Sequence, residues 1–136
     1  MAKSWIEKRE INKESKVKIN PKKFADIPMG TKMFIPTPKI IDVFVKNIPY
    51  GSFINTKDLR MELANHYDAE MTCPLVTGIS LRIISEAAYE EYQFDKSIDQ
   101  ITPFWRAIEP NSKLAKKLTF EIEFLVKNQL QEVIEF

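Results

Sequence analysis

Between Thr72 and Tyr92 the hydrophobic positions of TCPLVTGISLRIISEAAYEEY recur at helical spacing. Leu75, Ile79, Ile83 and Ala87 fall every four residues, and Val76, Ile84 and Ala88 widen the stripe. This pattern predicts a helix with that face buried. Pro74 suits the first helical position, where its missing N–H costs nothing, with Thr72 or Cys73 before it as cap. The opposite face starts small and polar, with Thr77, Gly78 and Ser80, and continues to Arg82. Such a face could lie in a nucleic-acid groove, although a core helix of any small domain shows the same pattern.

The remaining chain groups around that helix. Residues 1–20 are lysine-rich and poor in apolar positions, and are expected to form a mobile arm. Four prolines between 21 and 38 predict an extended surface path, pinned by Met33, Phe34 and Ile35. Thr37-Pro38 reads as cap and first residue of a helix carrying Ile40, Ile41, Phe44, Val45 and Ile48, stopped by Pro49 and Gly51. Thr56 opens a second helix, with Asp58 in its first turn and Leu59, Leu63, Ala64 and Tyr67 inward. Asp68–Met71 is then a short connection to the central helix, giving the outline of a helix-turn-helix.

Past Tyr92, a polar segment leads to Ile101, Phe104, Trp105 and Ile108, which are strand formers, and to turn residues 109–112. LTFEIEFLV fits either period; a helix from Thr119 to about Gln129 followed by an edge strand over 132–136 is expected. The fold class is therefore mainly α with a small β element. It reads as a winged helix-turn-helix-like single domain over 37–136 behind a basic arm over 1–36.

Composition narrows the chemistry. With 136 residues and 44% hydrophobic content, the chain can build one real core. No apolar run is long enough for a membrane span, no signal-peptide pattern is seen, and a cytoplasmic location is expected. A single cysteine, Cys73, and a single histidine, His66, leave no metal site, and no cofactor is expected. The net charge of +1 conceals a division: residues 1–39 hold ten Lys/Arg against four acids, and the remainder ten against fifteen. A basic arm adds attraction to phosphates, and a solvated tail has the same composition.

IPYGSFINTKDLRMELA (48–64), the Gly78-bearing helix and TPFWRAIEPNSKL (102–114) together resemble the DNA-binding domain of O6-alkylguanine-DNA alkyltransferases and alkyltransferase-like proteins. In that family Ile-Pro-x-Gly precedes a helix opened by threonine, a second helix carries Val-Gly near its start, and Pro-Cys-His-Arg-Val-Ile follows. Ile48-Pro49-Tyr50-Gly51 matches the first element and Thr56 the second. Thr77-Gly78 and Pro103–Ile108 occupy the places of the others.

The departures decide which activity the resemblance implies. Phe104 stands where the family's acceptor cysteine belongs and Trp105 replaces its histidine, so suicide transfer at that position is excluded. Lys57 and Leu75 replace the family's tyrosine and its base-displacing arginine, which removes the usual means of filling a duplex after base flipping. The resemblance therefore implies a non-catalytic binder of double-stranded DNA, alkylated DNA included, acting with other repair proteins. Thr56, Lys57, Thr72, Cys73, Thr77, Gly78, Ser80 and Arg82 would meet DNA, and Pro103, Phe104, Trp105 and Arg106 would wall an alkyl pocket. Phe104 and Trp105 read equally as core aromatics, and Arg106 is structural in the family. Two alternatives stand beside this one: a protein-interaction module that has lost DNA binding, and an alkyl acceptor at Cys73, whose place at a helix start favours a thiolate.

Overall fold

A computed structural model describes residues 3–136, and about half of the chain is helical. Met1 and Ala2, the tip of the expected arm, lie outside the described residues. In chain order the elements are α1 (Trp5–Glu10), β1 (Lys16–Ile19), β2 (Lys32–Ile35), α2 (Pro38–Lys46), α3 (Thr56–His66), β3 (Met71–Thr72), α4 (Pro74–Gln93), α5 (Lys113–Lys117) and α6 (Ile122–Gln131). Two 3-10 turns, Ile98–Gln100 and Phe104–Arg106, lie between α4 and α5. None of the described helices is long and apolar enough to cross a membrane.

Local chemistry sets most helix starts. Thr37 Oγ1 accepts from the Ile40 N–H, and Pro38 takes the first position of α2. Asn55 caps α3 by accepting from the Asp58 N–H, so Thr56 is the first helical residue and its neighbour is the cap. Central helix α4 begins at Pro74 as expected, although Cys73 at the cap position contributes no side-chain bond.

The sheet is β1–β2–β3, with β1 antiparallel and β3 parallel to β2. Met33 and Phe34, expected only to pin an extended segment, form the middle strand beside Met71 and Thr72. The link between α3 and α4 is therefore a turn plus a paired strand, with Asp68 in the left-handed region at φ 55°.

One core cluster joins Phe34, Ile41, Val45, Leu59, Leu63, Leu81 and Ile84, drawing on β2, α2, α3 and α4. A second gathers Ala88, Ile101, Phe104, Trp105, Ile108, Leu125 and Ile134 around the far end of α4. Helix α4 thus supplies both.

Four expectations are corrected. The mobile arm is instead a docked helix and a strand: Ser4 and Glu7 form a reciprocal capping box on α1. The Trp5 and Ile6 N–H groups donate to Glu90 at 3.2 and 2.9 Å, and buried Arg9 pairs with Glu91. Residues 132–136 form no strand, because Val133 turns at φ 58° and sends Ile134 into the core. Phe104–Arg106 is a 3-10 turn rather than a strand.

The fourth correction concerns the facing of α4. Leu75 and Ile79 are 57% and 50% exposed, while Thr77, Ser80, Leu81, Ile84 and Ser85 are buried. Thr77 and Ser85 donate to the carbonyls of Cys73 and Leu81, each at 2.7 Å, so their hydroxyls go inward satisfied. Leu81 and Ile84 on that face join Ile41 and Val45 of α2 in one core cluster.

Glu132 ties the two ends of the fold together. It accepts from Trp105 Nε1 at 2.6 Å, from Arg106 Nε and Nη2 at 2.8 and 2.9 Å, and from the Gly51 N–H at 2.9 Å. Arg106 also donates to the Ile48 carbonyl at 2.8 Å. Burial raises the Glu132 pKa, but the bonds from Arg106, Gly51 and Trp105 outweigh it and hold the carboxyl below its ordinary value. Burial likewise works against Glu91, where bonds from Lys96 and Arg9 win in the same direction.

Glu132→Ala should cost about 3–5 kcal/mol, because it leaves a largely buried guanidinium unpaired. Thermal unfolding followed by circular dichroism should then show a midpoint lower by about 10–17 °C. Both carboxyls have depressed pKa values, so their stabilisation is full above the ordinary Glu value near 4.5 and is lost as pH falls through the folded values. Denaturant midpoints should therefore hold steady above about pH 5 and fall below about 4.3. In Glu132→Gln that acid fall should be shallower than in the parent chain.

Candidate functional site

The exposed face of α4 forms the floor of a groove of about 420 Å³. Pro74, Leu75, Gly78, Ile79 and Ile83 make that floor, with Arg82 along it. Trp5 and Lys8 of α1 make one wall, and Leu114 and Lys117 of α5 the other. Three cationic side chains therefore line an apolar floor, and among the described residues no acidic one lines it.

Each wall is fixed by contacts elsewhere. The two carboxylate oxygens of Glu90 hold the start of α1, which sets Trp5 beside α4. The Trp5 ring carries Lys8 Nζ 4.1 Å from its centroid and the Arg82 guanidinium at 5.2 Å. Arg82 Nε lies 3.8 Å from buried Glu86, too far for a hydrogen bond, and has no hydrogen-bond partner. On the other side, Ser112 caps α5 by accepting from the Ala115 N–H at 3.1 Å. Glu86 accepts from the Thr119 N–H and hydroxyl, fastening the segment after α5 to α4.

Gly78 sits mid-helix on the floor. A Cβ built there would meet nothing within 4 Å, and its φ is not in the left-handed region. Neither backbone conformation nor packing within the chain requires glycine at this place.

The sequence-predicted DNA-contact residues divide into two groups. Gly78 and Arg82 line the groove, and Thr56 and Lys57 are exposed at the start of α3. The other four are inside. Thr72 is 1% exposed and donates to the Arg60 carbonyl at 2.7 Å. Thr77 and Ser80 lie on the packed face of α4. Cys73 is 4% exposed against Ile27 and Met33, which leaves its sulfur no approach for an alkylated base.

The expected alkyl pocket is absent for the same reason. Phe104 is fully buried and Trp105 1% exposed, and Phe104 packs against Phe120 and Phe124. Pro103 is buried too, and Arg106 serves the Glu132 network. Phe104 and Trp105 form core, so neither ring offers an extruded base a face to stack on.

Lys8, Trp5, Leu75, Ile79, Leu114 and Lys117 are groove residues that sequence reasoning did not select. Leu75 and Ile79 carried no signal of exposure, since they stand in the stripe whose spacing predicts burial. Lys8 and Lys117 carried none, because long-range packing brings them to α4.

Replacing Gly78 by alanine should raise stability by about 0.5–1 kcal/mol, since the helix gains propensity and the methyl meets no neighbour. Denaturant unfolding of the variant checks this; a loss of stability would mean that the floor is filled in solution. Comparison of the chain with known protein families, with curated proteins and with solved structures finds no match.

Proposed function

We propose that this chain is a non-catalytic binder of duplex DNA, on the alkyltransferase-like pattern that its motifs resemble, and that the groove over α4 is the contact. The observation that carries the reading is a groove with Lys8, Arg82 and Lys117 along it and no acidic residue in its lining. Among the described residues Lys8 and Lys117 take part in no ion pair, while Arg82 is shared with Glu86 at 3.8 Å, and such cations attract phosphates of any sequence. The apolar floor at Leu75 and Ile79 suits sugar faces, and Gly78 lets a sugar–phosphate ridge come close to the helix backbone. In this reading α3 and α4 are the two helices of a winged helix-turn-helix, with Thr56 and Lys57 adding contacts from the start of α3.

Among the described residues no cysteine lines the groove, so it offers no thiol to accept an alkyl group, and binding without alkyl transfer fits its lining. Burial of Phe104 and Trp105 removes the lesion pocket from the proposal. Duplexes with and without O6-methylguanine should therefore bind alike.

Fluorescence anisotropy with labelled duplexes at 50 and 200 mM salt tests this. Neutralising three phosphates gives a log–log salt slope of about −2.7, or a loss of affinity of about 40-fold over that range. The double variant Lys8→Glu/Lys117→Glu should bind at least about tenfold more weakly at the lower salt. Negligible retention of both duplexes at 50 mM salt would remove the proposal.

A further inference from the structure

A second concavity, of about 840 Å³, runs between α2 and α3 and shares no residue with the groove over α4. Its interior is apolar, with Phe44, Ile48, Leu63 and Tyr67 among the lining side chains. Each helix adds an exposed apolar residue: Val43, 58% exposed, from α2 and Met61, 44% exposed, from α3. Asp58 and Glu62, one turn apart on α3, also line it, and no Lys or Arg does. Among the described residues neither acid takes part in an ion pair.

We infer that this cleft docks an amphipathic helical segment of a partner protein, with apolar residues inserted and Lys or Arg along its flank. The sign of the rim selects the occupant: two unpaired carboxylates repel a phosphate backbone and attract cations. Their i,i+4 spacing matches Lys or Arg at i,i+4 on a helix laid alongside α3. The nine residues of α2 span about 14 Å, room for two to three turns of such a helix. Met61 at the lip can adjust its rotamer to anchors of differing shape. Exposed Val43 and Met61 above an apolar interior are what such a docking site would cover.

The test needs no DNA, so its failure is distinct from failure of the duplex reading. The full chain, labelled with 15N, is titrated with a 14-residue helical peptide of Leu and Lys and with its counterpart carrying Glu for Lys. The Lys peptide should move amide signals of α2 and α3 and bind at least about tenfold more tightly than the Glu peptide at low salt. Glu62→Lys should abolish that preference, and Val43→Glu should weaken the Lys peptide by about tenfold or more. Both side chains are exposed, and the 15N spectrum of each variant verifies its fold. Equal binding of the two peptides, shifts confined to α4, or unchanged binding by Val43→Glu would overturn the inference. Self-association in sedimentation that Val43→Glu abolishes would also overturn it, by placing a second copy of this chain in the cleft.

Discussion

The structure turns on one buried carboxylate. Glu132 collects four hydrogen bonds from Trp105, Arg106 and the backbone of Gly51, while Arg106 continues to the Ile48 carbonyl. Three segments distant along the chain thereby share one polar centre under the second core cluster. A buried acid is tolerable only when every lone pair is used, and here the donors come from side chains and backbone alike. Gln129 extends the arrangement by donating to the carbonyls of Trp105 and Ile108 at 3.1 and 2.7 Å. The polar backbone of a tight 3-10 turn is thus satisfied inside the core.

That centre also explains what the short motifs mean. Ile48–Gly51 and Pro103–Ile108, the two words that carry the resemblance to alkyltransferase domains, meet at Glu132. In this chain they hold the fold together, and the groove is built instead from α1, α4 and α5. Gly78 is the part of the resemblance that lines the groove.

Much of the architecture was legible. Thr37-Pro38 and Thr56 marked the starts of α2 and α3, and Pro74 that of α4, because caps and prolines act over one turn. The facing of α4 was not legible. Its spacing admits two stripes, and the chain buries the one carrying Thr77 and Ser85, whose hydroxyls bond back to the helix, leaving Leu75 and Ile79 outside. The docking of α1 was hidden for another reason, since Glu90 and Glu91 lie more than eighty residues away. Phe104 and Trp105 announced burial but not conformation, and Pro103 with its successors settles into a 3-10 turn. Opposite charges at the two concavities were visible only as an uneven distribution along the chain, because folding sets Lys117 and Lys8 on opposite walls of one groove.

Anchoring of α1 by Glu90 has a consequence for how the N-terminal third is dissected. Removing the first dozen residues subtracts positive charge and, in the same cut, takes away Trp5 and the flank it supplies. The trough then becomes an open shelf, Glu90 loses the two backbone N–H donors of α1, and Glu91 keeps Lys96 but loses Arg9. A deletion of that stretch therefore mixes loss of electrostatic pull with loss of shape, whereas charge reversal at single lysines keeps the two apart.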